Sequence, residues 1–241
     1  MISDSWLKAR FRLDALILKY KLKSIPRSVI NPERLIEYQQ SLLSQFSKSI
    51  NEAQLMAIDL EMTGLNPTED QIISMGIVPI TQAGIPLQQA QHLMISIDGS
   101  VGSSATIHGI VDNQLENALS LEQAVLWFLE HTKGHILVAH HAPMDVSFLL
   151  NYIEKVFGFR MLMPFIDTLG IEKKRYLRQH GQLIKGCVRL GESRERYHLP
   201  VYAGHNALLD AIACAELLLA QVAAMGGGHQ MKCYELIETI K

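Results

Sequence analysis

Asp59 and Glu61 stand two residues apart in Leu55-Met-Ala-Ile-Asp59-Leu-Glu61-Met-Thr-Gly64-Leu65. In an extended segment alternate residues share a face, so the two carboxylates project side by side. Strands often carry two acids on a solvated face, and the pair alone is weak evidence. Here the apolar run carries the acids toward the interior, and a glycine turn follows. Asp145 ends the phrase His140-His141-Ala142-Pro143-Met144-Asp145, where the chain leaves a second apolar run and enters a helix. An aspartate there is a favoured helix N-cap, and the end of a mid-sheet strand is equally where sites are built. Both readings stand. Asp210 lies one turn inside an Ala/Leu-rich helix with His205 just ahead of it. So apolar a helix has no structural need of an aspartate, which favours function.

Were these four acids to converge, two like charges about 4 Å apart would repel by roughly 4 kcal/mol at an effective dielectric of 20. Such a cluster requires cations. All-oxygen ligands select hard ions, magnesium or manganese, and two divalent ions roughly 3.5 to 4 Å apart suit in-line displacement at phosphorus. Phosphodiester hydrolysis is the reaction expected, with one ion acidifying the attacking water and the other stabilising the leaving 3′ oxygen. His205 carries an imidazole, the side chain that ordinarily titrates near neutrality, and is assigned as general base. A competing reading takes His140, His141 and Asp145 as a transition-metal phosphohydrolase site. Adjacent strand residues point to opposite faces, which counts against it. A non-catalytic nucleic-acid-binding subunit is the other alternative, and the presence of all five chemical residues counts against that.

The elements that must position these residues follow from hydropathy. Short β-type runs at Leu55–Leu60, Ile72–Ile80 and His92–Ile97 predict a three-stranded meander. A helix over Leu121–His131, a strand over Ile136–His140, a helix over about Val146–Val156 and a strand near Met161–Phe165 come next. Gly181–Gly204, with Arg189, Arg194 and Arg196, reads as a loop over the site, and the helix from Asn206 to about Met225 ends at Gly226-Gly227-Gly228. Tyr234–Ile240 is expected to form one more turn. Residues 1–50, broken at Ile25-Pro26 and Asn31-Pro32, predict two or three short helices. The domains expected are a basic helical extension (1–50), a catalytic domain (51–228) and a short C-terminal segment (229–241).

With 241 residues, 48% of them hydrophobic, the chain can bury a sizeable core. Its formal charge of −2 hides an asymmetry: residues 1–50 hold nine Lys/Arg against four Asp/Glu, and 51–241 hold thirteen against twenty. An acidic body attracts phosphate backbones poorly, so nucleic-acid binding must rest on local basic patches or on bound metal. Residues 1–50 are one candidate patch, although basic helical surfaces are more often merely solvated. Three cysteines without C-x-x-C spacing suggest neither a disulfide framework nor a thiolate zinc site. The apolar stretches are read as falling short of a membrane span, and the N-terminus lacks a secretory core. No membrane association and a cytoplasmic location are expected.

The ordered set Asp59-x-Glu61, Asp145, His205-x4-Asp210 resembles the DEDDh 3′→5′ exonucleases, over about residues 54–224. Its phrases are most similar to those of the proofreading epsilon subunits of bacterial DNA polymerase III. Ala105-Thr-Ile-His108-Gly109-Ile110 is similar to the family's VHGI segment, and Phe165-Ile-Asp167-Thr168-Leu169 to its D-[ST]-L segment. Asp59-Leu-Glu61-Met-Thr-Gly-Leu is also similar to oligoribonuclease, which leaves DNA and RNA both open. The resemblance implies an α/β, RNase H-like fold: a five-stranded mixed sheet flanked by helices, here with an N-terminal helical extension. It implies that Asp59, Glu61 and Asp210 bind the tighter ion, that Asp59 with Asp145 serves the second, and that His205 activates water. It further implies that Met62, Thr63, Gly64 and Leu65 hold the terminal nucleotide, that Ile107 and His108 contact the end bases, and that Met144 lines the groove. His141 stands where the family usually has Asn, and Met144 where it usually has Phe. The substrates implied are single-stranded DNA or RNA 3′ ends, with a nucleoside monophosphate released. No long tail follows Gly228 to hold a polymerase, and association with one is left open.

Overall fold

A computed structural model describes residues 31–227 and 231–240, together with residue 16; the helices expected before residue 31 lie outside this range. Helix α1 (Pro32–Leu43) starts at the Asn31-Pro32 break, with proline in its first turn where no N–H is needed. It buries Leu35, Tyr38 and Leu42 in the main core. Strands β1 (Leu55–Met62), β2 (Ile72–Ile80) and β3 (Gln91–Met94) form the expected antiparallel meander. After the single-turn helix α2 (Ala105–His108) and helix α3 (Leu121–Thr132), strand β4 (Ile136–Ala139) pairs parallel with β1. Helix α4 (Ala142–Phe157) then returns the chain to strand β5 (Pro164–Asp167), parallel with β4.

Four elements depart from the sequence expectation. Thr168–His180 is a helix, α5, whose Thr-Leu-Gly-Ile-Glu-Lys-Lys-Arg-Tyr-Leu-Arg-Gln-His sequence has too few apolar residues to mark a buried face. The segment read as a loop over the site contains a helix, α6 (Leu190–Glu195), and precedes helix α7 (Ala207–Ala224). The final turn is instead strand β6 (Ile237–Thr239), which adds a sixth strand antiparallel to β5 where five were expected. Three residues are too few to display an alternation. Helix α4 begins four residues before Val146, because His141 adopts a left-handed backbone (φ 79°) at its N-cap and Pro143 fits the first turn.

The six strands are ordered β3-β2-β1-β4-β5-β6, with α3 and α4 on one face and α5 and α7 on the other. Helix α7 is long and apolar enough to cross a membrane by length and composition, against the expectation that every apolar stretch falls short. It is the central helix of the core, lying across β1 and β2. The carbonyl of Met231 accepts from Ile50 N–H at 2.9 Å, that of Lys48 from Cys233 N–H at 2.9 Å and that of Phe46 from Tyr234 N–H at 3.1 Å. The segment entering β1 is thereby stitched to the segment entering β6.

Candidate active site

The parallel strands β1, β4 and β5 all point their C-terminal ends the same way, which is where open α/β sheets place their sites. Glu61, next to last in β1, stands beside a register shift at Glu61/Met62, a bulge of the kind that re-aims a side chain. Asp59 pairs with Gly76 of β2. A Cβ on Gly76 would collide with the backbone of Ala207 and Leu208, so this glycine lets the first turn of α7 sit directly on the sheet. That turn carries Asp210. Ligand oxygens of Asp59, Glu61 and Asp210 lie within 4.8 Å of one another.

Asp145 reaches the same place from the opposite face of the sheet. It is the fourth residue of α4 rather than its cap, and is buried at 4% exposure. Backbone N–H groups of Leu60 and of Asp145 itself favour its ionised form, yet burial dominates and, with the charges of Asp167 and Glu61, pushes its pKa up to about 8. Burial, then the charge of Asp210, pushes Glu61 up to about 7. Asp59, in the middle, is raised well above the carboxylate range by burial and by the charges of Asp145, Asp210 and Glu61. Asp210 is raised by burial, against the backbone N–H groups of His205 and Asn206. Among the described residues none of these four acids forms an ion pair with a cationic side chain. A mutually repelling set of hard oxygen donors without a protein cation suits divalent ions of the magnesium and calcium type.

His205 sits just outside the first turn of α7 in a left-handed conformation (φ 65°), and its backbone N–H donates to Asp210 Oδ2 at 2.7 Å. Asn206 caps the helix by accepting from Leu209 N–H at 3.1 Å. The imidazole is exposed and lies within electrostatic range of His108 on α2. Burial and the nearness of His205 hold the His108 pKa below its ordinary value. Met62 closes β1, and Thr63, Gly64 and the exposed Leu65 form the loop beyond it. Ile107 is 60% exposed on α2, and Met144 precedes Asp145 on α4.

Three functional supports escaped the sequence reading. Asp70 accepts from Thr63 Oγ1 at 3.2 Å and from Asn66 N–H at 2.8 Å, and packs where a Cβ on Gly64 would be, so it shapes the 63–66 loop. Asp167 ends β5 and accepts from the N–H groups of His141 (3.0 Å), Ala142 (3.3 Å) and Leu169 (3.2 Å). It thereby fixes the strained start of α4 that presents Asp145. The D-[ST]-L phrase was its only signal. Gly76 had none, because its partner is 131 positions away in the chain. His140 bonds Thr168 Oγ1 through Nδ1 and the Val188 carbonyl through Nε2, both at 2.9 Å, and burial drives its pKa to about 4. Both ring nitrogens are used, which removes it as a transition-metal ligand.

The sequence pattern of the exonuclease family, RNase_T, matches residues 56–218. DNA polymerase III PolC-type of Thermotoga petrophila is 33% identical over 181 residues, which make up 75% of this chain and 13% of that protein. The chain thus spans about an eighth of the length of the curated relatives it matches. The nuclease domain of 3′hExo, a DEDDh family member solved with rAMP, has a TM-score of 0.61 at 15% identity, covering 80% of this chain and 98% of that one. E. coli Exonuclease I, solved with a dT13 oligonucleotide, has a TM-score of 0.58 at 12% identity, covering 71% and 41%. These two structures share the fold. The family match falls on the segment that holds Asp59, Glu61, Asp145, His205 and Asp210, and by that match the chain belongs to the exonuclease family.

Proposed function

We propose that this chain removes nucleotides from the 3′ end of single-stranded nucleic acid, with DNA favoured over RNA, and that residues 51–228 form the catalytic domain. The observation that carries this reading is the convergence of Asp59, Glu61 and Asp210 within 4.8 Å, with the buried Asp145 near enough for its charge to act on Asp59. Asp59, Glu61 and Asp210 would hold one divalent ion, and Asp59 with Asp145 a second, magnesium or manganese in each case. When bound, such ions supply positive charge to the scissile phosphate, acidify water and stabilise the leaving 3′ oxygen.

His205 takes the proton of the attacking water as the water oxygen forms the new bond to phosphorus. The 3′ oxygen of the preceding nucleotide leaves with the electrons of the broken bond, and a nucleoside 5′-monophosphate is released. Asp210 both offers a ligand oxygen and fixes the His205 backbone, so the base and the metal site are set by one turn of α7. Met62, Thr63, Gly64 and Leu65 cradle the terminal nucleotide, Ile107 and His108 meet the end bases, and Met144 lines the groove.

Digestion of 5′-labelled single-stranded DNA and of short RNA, with magnesium or manganese, tests this. A ladder shortening from the 3′ end, abolished reversibly by EDTA, is expected, with DNA cut faster. Faster cutting of short RNA or tRNA ends would make the chain an exoribonuclease of the same chemistry. Binding without any cleavage would leave a nucleic-acid-binding subunit and end the catalytic reading.

A further inference from the structure

Within residues 51–241 positive charge is concentrated in one stretch of the chain. Of the thirteen Lys/Arg in residues 51–241, eight lie between positions 173 and 196, and only two of the twenty Asp/Glu do: Glu192 and Glu195. Two of those cations belong to the interior of the fold. Arg194 is buried, donating to the Ala213 carbonyl at 2.6 Å and pairing with Glu216 at 2.7 Å, and Arg196 pairs with the buried Glu172 at 2.8 Å. Arg175 is stacked on the Tyr197 ring. The remainder face solvent: Lys173, Lys174 and Arg178 on the outward half of α5, and Lys185 and Arg189 in the loop that follows. Lys174 pairs with Glu238, whereas Lys173, Arg178, Lys185 and Arg189 take part in no ion pair among the described residues.

This face is contiguous with the candidate site. Asp167, the N-cap of α5, holds the backbone of His141 and Ala142, which open the helix that carries Asp145. At the far end of the loop, the Val188 carbonyl, next to Arg189, bonds His140 at the end of β4. Helix α5, 13 residues long, spans about 20 Å at 1.5 Å per residue, so its cations extend well beyond a terminal nucleotide held at the acids. The acidic remainder of residues 51–241 repels a polyanion, and a local basic strip offsets that repulsion.

We infer that Lys173, Arg178, Lys185 and Arg189 form a track for the phosphate backbone of the substrate strand 5′ to the nucleotide being removed. The occupant is a single-stranded polyanion, because the cations are spread over the outward half of one helix and along the loop that leads back to the site, which a flexible strand can follow. The inference rests on the proposed nuclease function for its substrate, but it concerns binding remote from the reacting phosphate.

Fluorescence anisotropy of a labelled 20-nucleotide oligothymidylate, titrated with the full chain in EDTA at several salt concentrations, tests it without any cleavage. The variant Lys173→Ala/Arg178→Ala/Lys185→Ala/Arg189→Ala is expected to bind at least tenfold more weakly at low salt. The slope of log K against log salt should become shallower by about 3, at roughly 0.7 for each phosphate that is no longer neutralised. Arg178→Lys/Arg189→Lys should keep the wild-type slope, and Lys133→Ala/Lys155→Ala/Arg160→Ala should separate loss of this track from loss of net charge by also keeping it. Wild-type affinity and slope in the fourfold variant would overturn the track and turn attention to an acidic protein partner. Tight, salt-sensitive binding by a wild-type chain that cuts no strand with metal added would instead overturn the nuclease reading and leave the track standing.

Discussion

Each of the four acids raises the pKa of a neighbour or is raised by one, so removing a single charge should act on stability and on turnover with opposite signs. Asp210→Asn keeps the shape of the side chain and an oxygen for the His205 N–H. It is expected to lower nuclease activity by roughly a thousandfold or more while the metal-free protein melts no lower than wild type. Activity assays and thermal melts in EDTA check both; a melting point several degrees lower would mean that Asp210 is chiefly structural. His205→Ala should cost about a hundredfold or more in kcat, and should remove from the pH–rate profile the limb that reports its proton. These residues were legible in the sequence because an acid in an apolar run is conspicuous. Asp70 was not, and Asp167 was marked by the D-[ST]-L phrase without its role, since a carboxylate that accepts backbone N–H groups in a turn looks like any loop aspartate.

At the scale of elements, the site depends on how closely α7 approaches β2. Gly76→Ala places a methyl against the backbone of Ala207 and Leu208, which cannot yield as a flexible side chain could. The helix start must lift, carrying Asp210 and His205 away from Asp59. Activity should fall at least tenfold, with stability lower by about 1 to 3 kcal/mol, as for overpacking elsewhere. Denaturant melts and kinetics read both effects, and unchanged activity would show that α7 has room to spare. Asp167→Ala should cost about 1 to 2 kcal/mol through the lost caps of α4 and α5, and should lower kcat by loosening the presentation of Asp145. The apolar elements were readable from hydropathy: β1, β2, α3, β4 and α7 fall close to where the periodicity sets them, and α4 does so apart from its early start. Helices α5 and α6 were not, because their polar sequences are held by specific partners, Glu172 with Arg196 and Arg194 with Glu216. Such pairings exist only once the fold has formed.

For the molecule as a whole, the raised carboxyls set a pH dependence. Glu61 at about 7 and Asp145 at about 8 hold protons in the folded state that the unfolded chain has already released above about pH 4 to 5. Their contribution to stability is therefore fully present below the unfolded pKa and is lost as pH rises toward 8. In EDTA the melting temperature should fall by roughly 5 °C or more between pH 5 and pH 8. Magnesium or manganese should restore it at pH 8 by binding only the folded state. A melting point that rose with pH in EDTA would show that the acids are not held together. The stitching of residues 46–50 to residues 231–234 has a further consequence. With these two approaches held by main-chain bonds, the inner strand β1 and the edge strand β6 are coupled at their entrances, so fraying of the β6 edge and loosening ahead of β1 must occur together.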